Sequence, residues 1–162
     1  MRILIFVAAI FTIGLYSCSS PSDTRGYPPF TLMDTDSAVF ATKDIPQNKG
    51  LLMVYFRSDC EHCHHAAQMM KEYIKSYNVN VWMITGEDME MMRMFEDMSG
   101  LYEIDNLKIL RDYEHNMHSW FDFKELPYIV LFDKVGKQMQ VFKDLPEPKQ
   151  VDSLLTNKSK SS

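Results

Sequence analysis

Leu51-Leu52-Met53-Val54-Tyr55-Phe56-Arg57-Ser58-Asp59-Cys60-Glu61-His62-Cys63 sets an unbroken apolar run just ahead of two cysteines spaced by two residues. A run of this length has the size of a strand, and one without polar alternation is a strand covered on both faces. Beyond it, Cys63, Ala66, Ala67, Met70, Tyr73, Ile74 and Tyr77 recur at helical spacing, which predicts an amphipathic helix over residues 60–77. The two thiols then lie about one turn apart on the same helix face, where they can close a small disulfide or share a metal.

The position of the pair on the helix assigns different chemistry to each thiol. Ser58 and Glu61 have the spacing of a capping box, with Ser58 as N-cap; Asp59 as cap would shift the start by one residue. In either frame Cys60 falls in the first turn, where unpaired backbone N–H groups and the helix dipole favour an anion, here a thiolate. Cys63 lies deeper on the apolar face and is expected to be the less ionised thiol. Cys60 is therefore the candidate attacking group and Cys63 the resolving one. Glu61 and His62, between them, oppose each other in charge and are candidate residues for tuning the redox behaviour of the pair. His64 and His65 read as exposed helix residues rather than ligands.

Outward from this stretch, strands and helices alternate. Residues 79–85 form a second apolar strand, and residues 88–98 a helix with Met91, Met94, Phe95 and Met98 on one inward stripe. A short strand is expected at 107–111, then a short helix at 113–121 with Met117, Trp120 and Phe121 inward. Residues 128–132 are another buried strand, residues 133–137 a turn, and residues 138–142 its hairpin partner. A helix over 146–155 closes the pattern, and one further short strand falls within 37–42. This order implies an α/β sandwich built on a mixed sheet.

The chain begins differently. Met1-Arg2 places a positive charge before an apolar run from Ile3 to Leu15, interrupted by Thr12 and Gly14. At about 1.5 Å per residue it spans roughly 20 Å, short of a bilayer core, which marks a secretory signal rather than a membrane span. Leu15-Tyr16-Ser17-Cys18 resembles the lipobox of bacterial lipoproteins. The resemblance implies cleavage after Ser17, a lipid on Cys18, and an extracytoplasmic, membrane-anchored protein on the periplasmic side. The alternative is an ordinary signal peptide beside an unrelated cysteine. Residues 1–17 are then signal, 18–36 a polar, Pro-containing tether, 37–156 the domain and 157–162 a frayed tail.

A second resemblance rests on paired motifs. An apolar strand, Cys60-Glu61-His62-Cys63 opening a helix, and much later Leu126-Pro127 leading into Tyr128-Ile129-Val130-Leu131-Phe132 are similar to the thioredoxin-like superfamily. The resemblance covers roughly residues 37–156 and implies a central mixed β-sheet with helices on both faces. By it, Pro127 is a cis-proline beside the dithiol, and Leu126 offers its backbone to an extended substrate. The 64-residue interval from Cys63 to Pro127 exceeds that of a minimal thioredoxin. It resembles the membrane-anchored extracytoplasmic proteins related to cytochrome-c-maturation reductases, which carry an extra strand and helix before the cis-proline. Asp59 stands where thioredoxins have tryptophan, and Val54 where cytoplasmic ones bury an acid. Glu61-His62 is not the Gly-Pro of the reductant, which leaves the direction of electron flow open.

The function so implied is thiol–disulfide exchange with protein thiols or disulfides, recharged by a membrane redox donor or acceptor, with no cofactor and no resident metal. A formal charge of −5 argues against nucleic-acid binding. Two other functions are compatible with these residues. One is a Cu(I) carrier using Cys60, Cys63, His62 and His64 or His65, with thirteen methionines in the chain. The other is a redox-inactive docking domain, against which the intact cysteine pair argues.

Overall fold

The computed structural model describes residues 26–159; the expected signal, the lipobox-like stretch and Cys18 lie outside the described residues. In chain order the elements are β1 (Thr31–Met33), β2 (Val39–Ala41), β3 (Leu51–Tyr55), α1 (Glu61–Tyr73), β4 (Asn80–Thr85) and α2 (Met89–Ser99). They continue with β5 (Leu107–Arg111), α3 (Asn116–Phe121), β6 (Tyr128–Phe132), β7 (Gln138–Phe142) and α4 (Pro148–Ser159). The strands form one sheet in the order β2-β1-β5-β4-β3-β6-β7. β3, β4 and β5 run parallel, while β6 is antiparallel to β3 and to β7, and β1 to β5 and β2.

The apolar run ahead of the cysteines is β3, held between β4 and β6 and buried at every position. Because side chains alternate across a strand, it feeds two cores. Leu52 and Val54 join Val81, Met83, Ile109, Ile129 and Leu131 under α1, α2 and α4. Leu51, Met53 and Tyr55 join Trp82, Ile84, Val130 and Phe132 on the opposite face, with Met117 of α3. Helices thus cover both faces of a mixed sheet, and the β5 strand with its neighbouring helices occupies the long interval before Pro127.

Several elements differ from the sequence expectation. The stretch read as tether, 18–36, contains β1, and Tyr27, Phe30 and Leu32 are buried in the second core. Its polar, Pro-containing composition hid these three side chains. The helix expected over 60–77 keeps α-geometry to Tyr73 and then tightens into a 3-10 turn over Ile74–Ser76, with Ile74 and Tyr77 still buried. At the other end α4 continues through Ser159 into the stretch expected to fray.

The methionine stripe is also displaced. Met92 and Phe95 face the core, whereas Met94 and Met98 are 44% and 69% exposed. Phe95 packs on Phe56 with ring centroids 4.1 Å apart, and that contact sets the helix rotation. α3 starts later than expected, because the buried Asp112 carboxylate accepts from the N–H groups of Asn116 and Met117. From that start Met117 points inward, Phe121 is half-buried, and Trp120 is exposed rather than inward.

Candidate active site

The end of β3 and the start of α1 place Cys60. It is the N-cap of the helix, with φ −96° and ψ 114°, and its sulfur accepts the N–H of Cys63 at 3.2 Å. The backbone carbonyls of Cys60 and Arg57 complete the turn: the N–H groups of Cys63 and His64 donate to Cys60, and that of Cys60 to Arg57. The half-buried Sγ of Cys60 also lies 3.7 Å from the carbonyl oxygen of Leu126. An N-cap sulfur faces the free amides that stabilise an anion at this end of a helix.

This arrangement corrects the expected capping box. Ser58 does not cap α1: its N–H and its hydroxyl donate to the Glu87 carboxylate at 2.7 and 2.8 Å. Glu87 follows β4, the strand beside β3, and it reaches the loop ahead of Cys60 from there. Asp59 is exposed and pairs with Arg57 at 2.6 Å.

Cys63 is fully buried among Ala66, Ala67 and Met70. Burial first, then its hydrogen bond with Cys60, push its thiol up to about 12. Both cysteines are free thiols. The pair is therefore unequal: one sulfur is reachable and amide-supported, the other is dry and protonated.

Leu126 and Pro127 come to the same place from the other side of the sheet. The Leu126–Pro127 peptide is cis, and Leu126 packs against both cores at the edge between them. Beside it an open groove of about 470 Å³ is lined by His62, Ala66, Met69, Pro127, Tyr128 and Val141, among others. His62 and Glu61 are exposed at the helix start, His62 on the groove wall. His65 is exposed, as read from the sequence, but His64 is not a free surface group. Its Nε2 donates to the Ser58 carbonyl at 2.7 Å, and its ring lies 5.6 Å from that of Phe95.

The sequence reading missed Glu87, the anchoring of Ser58 and the role of His64. An acid just after Thr85-Gly86 is a signal only once β4 is known to neighbour β3. Among the described residues, no group of three or more His, Cys, Asp or Glu side chains is placed to hold one metal ion. No helix among them is long and apolar enough to cross a membrane.

No family model matches the chain, and no curated protein matches it. Solved structures do. A thioredoxin-like protein from Aeropyrum pernix superposes with a TM-score of 0.61 at 16% identity, covering 80% of this chain and 89% of that one. The fold is thioredoxin-like. A secreted disulfide oxidoreductase of Mycobacterium tuberculosis, described as homologous to E. coli DsbE, gives a TM-score of 0.61 at 15% identity, over 79% of this chain and 95% of its own. The exposed lipoprotein thioredoxin of Streptococcus pneumoniae gives 0.58 at 17% identity, over 80% and 99%. In this thioredoxin-like fold the dithiol sits at the carboxyl end of a central strand and the start of the following helix, the region where open α/β sheets place their sites.

Proposed function

We propose that the chain is an extracytoplasmic thiol–disulfide oxidoreductase that exchanges disulfides with partner proteins through Cys60 and Cys63. The single observation that carries this is the sulfur of Cys60, which caps α1 with Cys63 N–H at 3.2 Å and meets the Leu126 carbonyl at 3.7 Å. A nucleophile, its resolving partner and a peptide-docking edge coincide there.

In the reducing direction the Cys60 thiolate attacks one sulfur of a partner disulfide. A Cys60–partner mixed disulfide forms and the other partner sulfur leaves as a thiolate, which takes up a proton. Cys63 then loses its proton and attacks the Cys60 sulfur, forming the Cys60–Cys63 disulfide and releasing the second partner thiol. The oxidising direction is the reverse. The Cys60 charge is among the causes holding Cys63 protonated, so consuming that charge in the mixed disulfide makes the resolving proton easier to remove. No dissociable cofactor is needed, because the two electrons pass between sulfurs.

An extended partner segment pairs with the backbone at Leu126, ahead of Pro127, and its side chains enter the adjoining groove. Glu61 and His62 flank the entry and adjust the charge felt by Cys60. Cys18 carries the lipid that tethers the domain to the membrane, where a membrane redox donor or acceptor restores the pair. The lipobox-like Leu15-Tyr16-Ser17-Cys18 supports the anchor, and the secreted and lipoprotein structural neighbours support the compartment.

The test is Cys63→Ser, which stops the reaction at the mixed disulfide. Incubated with a disulfide-bearing extracytoplasmic protein fraction, this variant is expected to yield covalent adducts through Cys60 that dithiothreitol releases. No adduct under those conditions sinks the reading.

A further inference from the structure

We infer that Glu87 is a positioning residue that decides which side chain caps α1: by occupying Ser58 it hands the cap to the Cys60 sulfur. The inference deepens the exchange reading above and rests on it for its functional meaning.

All three polar groups of Ser58 are committed to side chains from elsewhere. Its N–H and hydroxyl donate to Glu87, and its carbonyl accepts from His64 Nε2. Ser58 is 8% exposed, so these bonds are not readily replaced by water. Glu87 is itself held. Its carboxylate also accepts from Thr85 Oγ1, its N–H donates back to that hydroxyl, and its carbonyl accepts from Arg111 Nε at 2.8 Å. The loop before Cys60 is thereby anchored on the ends of β4 and β5.

The local sequence offers α1 two caps. Serine is among the preferred N-cap residues, and Ser58 has Glu61 at the spacing of a capping box, whereas a thiol is not a preferred cap. With Ser58 as cap, the helix would begin at Asp59 and Cys60 would become its second residue. The Cys63 amide would then bond to the Asp59 carbonyl, four residues back, instead of to the Cys60 sulfur. The structure shows the other choice, and the hydrogen bonds on Ser58 explain it. Glu87 takes the hydroxyl that would cap, and His64 takes the carbonyl that would accept the first helical bond. The sulfur is the side-chain cap because its rival is occupied.

The consequence is chemical. An N-cap sulfur has an amide donor aimed at it, and that donor supports the thiolate. Glu87→Ala leaves the Ser58 N–H and hydroxyl and the Thr85 hydroxyl without their acceptor, and Ser58 turns to the helix. Iodoacetamide alkylation of Cys60 in the reduced protein, followed by site-resolved mass spectrometry, reads the outcome without any partner. E87A is expected to slow alkylation at pH 7 by about fivefold, the order of one capping interaction. The discriminating variant is S58A/E87A, which also removes the rival cap and is expected to recover most of the lost rate. Simple loosening of the loop would leave the double variant no faster than E87A. Should E87A fail to fold, the same comparison is made between E87Q, which keeps one acceptor, and S58A/E87Q. A single variant as fast as the parent, or a double variant as slow as the single, overturns the inference. Failure of the Cys63→Ser trap with this alkylation pattern intact would remove the exchange reading and leave the cap choice standing.

Discussion

The backbone amide of Cys63 donates to the sulfur of Cys60 across 3.2 Å, so α1 is capped by one of the two cysteines it carries. Stability and thiol chemistry therefore meet in one atom, and substitutions at Cys60 separate them. Cys60→Ser keeps an oxygen that caps better than sulfur and is expected to be at least as stable as the parent in urea. Cys60→Ala removes the cap and is expected to lose about 1 kcal/mol. Neither retains the attacking thiol, and the remaining Cys63 is buried, so both should form no mixed disulfide. Equal stability of the two variants would deny sulfur its capping role.

Three buried groups make the fold sensitive to alkali. Cys63 and Tyr55 are each pushed up to about 12, the latter by burial and then by Asp112 and Glu87, and Tyr77 is raised by burial and then by Tyr73. Above about pH 9 the unfolded chain gives up these protons while the folded chain keeps them. The folded state then binds more protons, so stability falls as pH rises from about 9 and levels off once the folded groups titrate. The urea midpoint under reducing conditions should be lower at pH 11 than at pH 8. Tyr77→Phe should flatten that fall, and an unchanged slope would refute the assignment.

The rotation of α2 makes its methionines unequal. Met92→Ala is expected to cost about 2–5 kcal/mol, as a buried truncation does. Met94→Gln and Met98→Gln should stay within about 0.5 kcal/mol, being on the exposed side. Denaturant titration of the three variants checks this. A large loss at Met98 would restore the stripe suggested by periodicity.

Leu32 tests where the domain begins. It is fully buried in β1, inside a stretch whose composition reads as a tether. Leu32→Ala is expected to destabilise by about 2–5 kcal/mol. A tether residue would show no effect on the thermal midpoint.

Asp112 holds the start of α3 with two N–H bonds from a fully buried position. Asp112→Ala is expected to cost about 2 kcal/mol, since both donors are left without an acceptor. It should also change the fluorescence of Trp120, which sits exposed on that helix. Asp112→Asn, keeping one acceptor oxygen, should lose less.

Much of this molecule was legible from the order of residues. β3 and β6 are continuous apolar runs of strand length, the pattern of a strand covered on both faces. The spacing Cys60-x-x-Cys63 at the start of an amphipathic helix also placed one thiol at the amides and the other in the core, because helical periodicity is a local property. The alternation of strands and helices then led to a mixed α/β sandwich. What periodicity could not resolve was a choice between equivalent local options: two apolar stripes on α2, two caps for α1, and a polar lead-in whose three apolar residues could be tether or core.

Tertiary contacts decided those choices. Phe95 settled on Phe56 and turned Met94 and Met98 outward; Trp82 and Phe30, 6.1 Å apart, drew the lead-in into the second core. Glu87, 29 residues from Ser58, took the serine that the local pattern assigned to the helix. Residue order determines which conformations are cheap over a few turns, since propensity, capping and periodicity act at short range. Which of two nearly equal ones is occupied depends on a partner brought in by the sheet order, and that partner has no fixed distance along the chain.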